Sequence, residues 1–282
     1  MKKILPLFTT LAALAVAALF VNAADEPAAK PLRVLLVCGG CCHDYAKQQE
    51  ILKAGIESRI NATVDVAYNP DKSTKATFDI YKSKDWAKDF DVVIHDECSA
   101  DVTEPGYVGN ILAAHKNGTP AVNLHCAMHS YRWGKFQEPV QAGADNAGWY
   151  EMLGIQSTRH GPQEPIAITF TDSGSPITKG LTNWTTIKEE LYNNVQILTG
   201  KALAIGKQSY TDKKSGQPKE DETVVVWTNE YGGKKTRIFS TTLGHNNDTV
   251  ADARYLDLVT RGLLWSCGKL GDDGKPAAGY GK

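Results

Sequence analysis

Four short hydrophobic runs in the first half of the chain fix its fold class. LRVLLVCG, beginning at Leu32, is a continuous β-branched and leucine run that closes on Gly39-Gly40. A strand apolar on both faces needs helices above and below it, which is the environment of a parallel sheet. DVVIHDE (Asp91–Glu97) and AVNLH (Ala121–His125) read the same way, and TVDVAY (Thr63–Tyr68) alternates. Between them lie helical patterns. Leu52, Ile56 and Ile60 recur at i, i+4, i+8 behind a possible cap at Asp44. Residues 101–117 read as a second helix stopped by Gly118, with Pro120 opening the fourth strand. The alternation predicts a mostly parallel, doubly wound α/β sheet, its strand order beginning 2-1-3-4.

Beyond the fourth strand, residues 149–154 make a short amphipathic helix. The runs IAITF, 203–209, TVVVWTNEY and TRIFSTTLG read as four further strands. A last helix carries Tyr255, Leu258, Val259, Gly262 and Trp265 on one face and ends at Gly268. Residues 269–282 are rich in Gly, Lys and Asp, and their composition predicts a disordered tail. The N-terminus has the form of a secretory signal peptide over residues 1–23: Met1-Lys2-Lys3, an apolar stretch, then Val21-Asn22-Ala23. Residues 24–31 are a linker, and 32–268 form the domain. An exported protein follows, periplasmic or extracellular, with no membrane insertion after cleavage. Formal net charge is −1 and no basic stripe is present, which speaks against nucleic acid as a partner. Nothing in the sequence sets an oligomeric state.

Six of the seven histidines fall at or just past expected strand ends. In open α/β sheets that edge is where ligands bind. VNLHCAMHSYR is the richest point, with His125, Cys126, His129, Tyr131 and Arg132. His43, His95, His160 and His245 end other runs. His115, in ILAAHKNG, reads as a surface residue. Six cysteines admit two readings: a bridge from Cys41 or Cys42 to Cys98 across neighbouring strands, or buried apolar thiols.

These motifs resemble the ThuA-like (trehalose-utilisation) family of the class I glutamine amidotransferase-like fold group. The likeness rests on VCGGCCHDY, the LH ending strand four, W-Y-x-x-L-G from Trp149, the following His160, and TTLGHNND…RGLLW. It implies a flavodoxin-like, three-layer α/β/α sandwich and a role in sugar metabolism, linked to disaccharide use alongside oxidoreductases that make 3-keto sugars. It also implies His43, His125, His160 and His245 as the catalytic set.

Three chemistries suit these residues. Imidazoles near pH 7 suit removal of a C–H proton made acidic by an adjacent keto group in a sugar or glycoside. A divalent metal such as zinc could sit on His125, His129 and His160, since positions 125 and 129 share a face if the segment is helical. Cys126 stands where the amidotransferase relatives carry a nucleophile, but its neighbours are His125 and Ala127, not glycines. Arg132, Tyr131, Trp133 and Glu97 are expected to bind substrate, and no nucleotide cofactor is expected. The competing class is a non-catalytic carbohydrate-binding or scaffolding module.

Overall fold

The computed structural model describes Met1 and residues 29–282. The expected signal peptide and most of the linker lie outside the described residues. The first half runs β1 (Leu32–Gly40), α1 (Tyr45–Glu57), β2 (Ala62–Asn69), β3 (Val92–Cys98), α2 (Pro105–Lys116) and β4 (Ala121–Leu124). A 3-10 turn over His125–His129 leads to α3 (Gly148–Leu153) and β5 (Ile155–Gln156). The second half runs β6 (His160–Phe170), β7 (Trp184–Tyr192), β8 (Gln196–Ile197), β9 (Lys201–Thr211), β10 (Pro218–Tyr231), β11 (Thr236–Thr241), α4 (Asn247–Ala251) and α5 (Ala253–Ser266).

Nine strands form one sheet in the order β2-β1-β3-β4-β11-β10-β9-β6-β7. The start, 2-1-3-4, is the expected one. The first five are mutually parallel, and the last four pair antiparallel. Successive side chains of β1 take opposite faces. Val34 and Leu36 join a core with Leu52 and Ile56 of α1 and Leu258 and Val259 of α5. Leu35 and Val37 join another with Val108 and Ile111 of α2 and Trp149 and Met152 of α3. That division makes three layers. Gly39 and Gly40 (φ +144° and +97°) let β1 end against its neighbours, because a Cβ at Gly40 would lie 2.2 Å from the Cys98 carbonyl oxygen.

Four local expectations need correction. Helix α2 begins at Pro105, not Asp101, because Glu104 caps it and proline suits the first helical position. Asp44 precedes α1 without capping it through its side chain; its carboxylate instead accepts from Asn247 Nδ2 at 2.9 Å. The 269–282 segment is folded: Ile60 bridges to Gly281, the Asn61 amide donates to Tyr280 O at 3.0 Å, and Leu270 bridges to Pro276. His115 is fully buried, not exposed.

His115 belongs to a polar network sealed between the sheet and α2. Its Nδ1 lies 2.7 Å from Thr119 O, a pure acceptor, so Nδ1 carries the proton. Burial, aided by the charge of His95, pushes its pKa down to about 3, so the ring is neutral. Its Nε2 therefore accepts from His95 Nε2 at 3.0 Å. The other His95 nitrogen, Nδ1, sits 2.9 Å from Glu97 Oε1, which also accepts from Tyr81 and Tyr131 hydroxyls at 3.1 and 3.0 Å. The Tyr81 hydroxyl also lies 3.0 Å from His95 Nδ1, and His95 and Glu97 are both wholly buried.

Candidate functional site

A cavity of about 510 Å³ opens at the carboxyl ends of the parallel strands, a size ordinary for a small-molecule site. His43 reaches it from the loop after β1, Cys126, His129 and Arg132 from the turn after β4, and His245 from the loop after β11. The antiparallel β6–β7 pair supplies the opposite wall. His160 opens β6 and is paired in register with Tyr192, which closes β7. Glu190 stands two residues before Tyr192 on the same strand.

Four expected catalytic histidines converge. The rings of His43, His125 and His245 form a triangle with centroids 4.7, 4.7 and 5.5 Å apart. His160 completes the set through Glu190, the residue that sequence reasoning missed. The Glu190 carboxylate lies 3.6 Å from His125 Nε2, 3.3 Å from His245 Nδ1 and 3.6 Å from His160 Nδ1. Burial would raise its pKa, but His125 and His245 outweigh burial and hold it far below the usual carboxylate range. The same pairing acts on His245 in reverse. Burial pulls that imidazole down, and Glu190 more than compensates, so its pKa is raised. Glu189 is fully buried and accepts from the His245 and Asn246 amides at 3.1 and 3.3 Å, which fixes the loop.

Hydrogen bonds set the tautomers. His125 Nδ1 lies 2.6 Å from Thr242 O and must donate, leaving Nε2 as the nitrogen toward Glu190 and the Tyr192 hydroxyl. His125 also has φ +39°, a left-handed conformation at a strand end that only surrounding structure can hold. The strained residue is thus His125, with Cys126 one position past it. His43 Nδ1 faces His245 O at 3.3 Å, so its Nε2 accepts from the Cys126 thiol at 2.9 Å. The neighbouring Cys98 thiol and then burial push the Cys126 thiol well above its usual range, although His43 pulls the other way. Cys126 therefore rests as a thiol.

The remaining candidates divide. Arg132 lines the cavity and donates to Thr158 O at 3.1 Å. His129 lines it too, but its Nε2 is engaged by Ser157 at 2.9 Å and its ring stacks on Tyr192 at 4.0 Å. Burial, with the charge of Arg132, holds its pKa well below the usual imidazole value. Tyr131, Trp133 and Glu97 are not at the cavity. After His129 the chain turns, with Tyr131 at φ +56°, and inserts Tyr131 against Trp149 at 4.6 Å on the α2–α3 side. Glu97 lies there as well, and Trp133 packs on that same core. His95 likewise points into this layer instead of joining His43 and His125.

The expected metal set of His125, His129 and His160 is not brought together. The donor atoms of His125, Glu190 and His245 are, all within 4.8 Å of one another. Two imidazoles and one carboxylate suit a divalent first-row cation. Two further observations fit that use: His245 Nδ1 is buried with no partner but the Glu190 carboxylate 3.3 Å away, and Thr242 O orients His125 as an outer-shell carbonyl would.

The model of one family, described as ThuA, trehalose utilisation, matches residues 33–266. The chain belongs to the ThuA family. No curated protein matches it. Among solved structures, this ThuA-family chain is similar to a ThuA-like protein from Parabacteroides merdae, with 21% identity and a TM-score of 0.58 over 86% of this chain and 92% of that one. A ThuA-like protein from Bacteroides uniformis gives 15% identity and a TM-score of 0.56 over 86% and 94%. These likenesses establish the shared α/β fold.

The raised pKa of His245 gives a direct test of the Glu190 pairing. In a two-dimensional NMR titration the His245 ring should titrate above the ordinary ~6.5, and Glu190→Gln should bring it below that value. The pairing's stabilisation is full below the unfolded imidazole pKa and is lost as pH rises through the folded one. On the acid side, the Glu190 contribution is full above ~4.3 and is lost as pH falls through its depressed folded value. An unchanged His245 titration in Glu190→Gln would remove the carboxylate from this role.

Proposed function

We propose that this ThuA-family protein is an exported carbohydrate-processing enzyme that acts on 3-keto disaccharides or glycosides by histidine acid–base chemistry. The observation that carries the reading is Glu190 in contact with His160 and His245, which line the cavity, and with His125, buried directly behind it. His160 is the proton acceptor. Its Nδ1 donates to Gly161 O at 2.8 Å, which leaves Nε2 as the basic nitrogen. A C–H proton beside the keto carbon passes to His160 Nε2, and its electron pair moves to the keto oxygen. Return of that pair expels the glycosidic oxygen from the next carbon, and His160 returns the proton to the departing oxygen. Arg132 supplies positive charge at the cavity wall, where preorganised charge favours the enolate.

His125, Glu190 and His245 would hold a divalent cation such as zinc. Bound there, it supplies Lewis-acid polarisation of a keto oxygen. His245 must give up its proton to ligate, so affinity should fall as the solution is acidified. Elemental analysis of protein purified without chelator should find about one equivalent of metal. His245→Ala and Glu190→Ala should lose it, while His129→Ala should keep it. Equal retention in all three variants would place any metal elsewhere.

A thiol route through Cys126 has one observation in its favour, the 2.9 Å contact with His43, and the raised thiol pKa weighs against it. Cys126→Ser separates the two: it should keep most activity if the imidazoles do the chemistry and lose it if the thiol does.

A further inference from the structure

Beside the histidines, the same cavity is lined by four sulfurs that acid–base chemistry does not use: Cys41, Cys42, Cys98 and Cys126. Cys41 and Cys42 are joined by a disulfide between adjacent residues, and Cys98 is a free thiol. Cys98 Sγ lies only 3.2 Å from Cys41 Sγ, and the sulfurs of Cys41, Cys42 and Cys98 all lie within 4.8 Å of one another. Backbone geometry holds them there. Gly40 brings the end of β1 against Cys98, and the Cys41 amide donates to Cys98 O at 3.3 Å. Their burial differs: Cys41 and Cys98 are 8% and 3% exposed, whereas Cys42 is on the surface with φ +83°.

A disulfide with a third sulfur in contact is the arrangement that thiol–disulfide exchange requires, because the thiolate attacks one sulfur and expels the other. We propose that Cys41, Cys42 and Cys98 form an exchange site at the rim of the cavity, which releases Cys42 as a free thiol open to modification by soft electrophiles. The Cys98 thiol loses its proton, and its sulfur bonds to Cys41 Sγ. The Cys41–Cys42 bond breaks, and the Cys42 thiolate takes a proton from solvent. Bond count and oxidation level are unchanged, so no external oxidant or reductant takes part. The exchange replaces a bridge inside one loop by a bridge from that loop to the end of β3, next to His43. It thereby links sulfur chemistry to the position of a site histidine.

The test is alkylation of the full-length protein with iodoacetamide, without reductant, followed by peptide mapping. Two bridged forms are expected, Cys41–Cys42 and Cys41–Cys98, with the label on Cys42 only in the second. Cys98→Ala should abolish labelling at Cys42. Cys42→Ser, a surface change that leaves the core intact, should drive oxidised protein wholly to the Cys41–Cys98 bridge. The proposal is overturned if Cys42 stays unlabelled in the wild type. It is overturned equally if Cys42→Ser leaves Cys41 and Cys98 as two free thiols after mild oxidation.

Discussion

Glu190→Gln should lower turnover of a 3-keto disaccharide by at least ~100-fold, with most of the loss in kcat. The carboxylate touches three imidazoles at once, so its neutral isostere removes the charge that orients His160 and holds the proton on His245. Gln163 Nε2 donates to Glu190 Oε1 at 3.3 Å; glutamine keeps the volume and can still accept that bond, so the thermal transition should move by only a few degrees. Circular dichroism melting beside the kinetic assay distinguishes lost chemistry from lost fold. Full turnover in the variant would end the acid–base reading. A wild type that binds the sugar without turning it over would put a binding module in its place.

The second large effect falls on stability. Glu97→Ala should cost about 3–5 kcal/mol, the usual consequence of removing one partner from a buried ionisable pair, and lower the melting temperature by on the order of 10 °C. Glu97 Oε1 receives Tyr81 and Tyr131 hydroxyls and lies 2.9 Å from His95 Nδ1. Alanine removes that shared acceptor, leaving the buried Tyr131 hydroxyl without it and Tyr81 with only His95 Nδ1 at 3.0 Å. Because this network faces α2 and not the cavity, kcat of the folded fraction at low temperature should stay within about twofold. Glu97→Gln, which can still accept both hydroxyls, should recover part of the stability. A large fall in kcat without a fall in melting temperature would return Glu97 to the substrate-binding set where its sequence position first suggested it.

These two carboxylates mark how far the sequence could be read. The continuous apolar runs of β1, β3 and β4 demanded covering layers on both faces, which settled the sandwich and the 2-1-3-4 start. Placing a histidine just past a strand end was also enough for His43, His125 and His245, because loops at one edge of a parallel sheet share one mouth, whereas His160 reaches the same place as the first residue of antiparallel β6. Inside a strand the same reasoning fails. His95 and Glu97 lie at positions of β3 whose side chains take the α2 face, and one register step decides between cavity and core. Glu190 was illegible for the opposite reason. In WTTIKEELY the apolar Ile187 is 49% exposed while Glu189 and Glu190 are buried, at 0% and 7%, so hydrophobic alternation points the wrong way. Sequence by itself determined the layers and the edge at which ligands enter. Tertiary structure decided which groups face that edge, because β7, at the far border of the sheet, packs back against α4 and carries its carboxylate over the histidines. Burying that carboxylate is tolerable only where imidazoles from three separate elements surround it, and no local pattern records that condition.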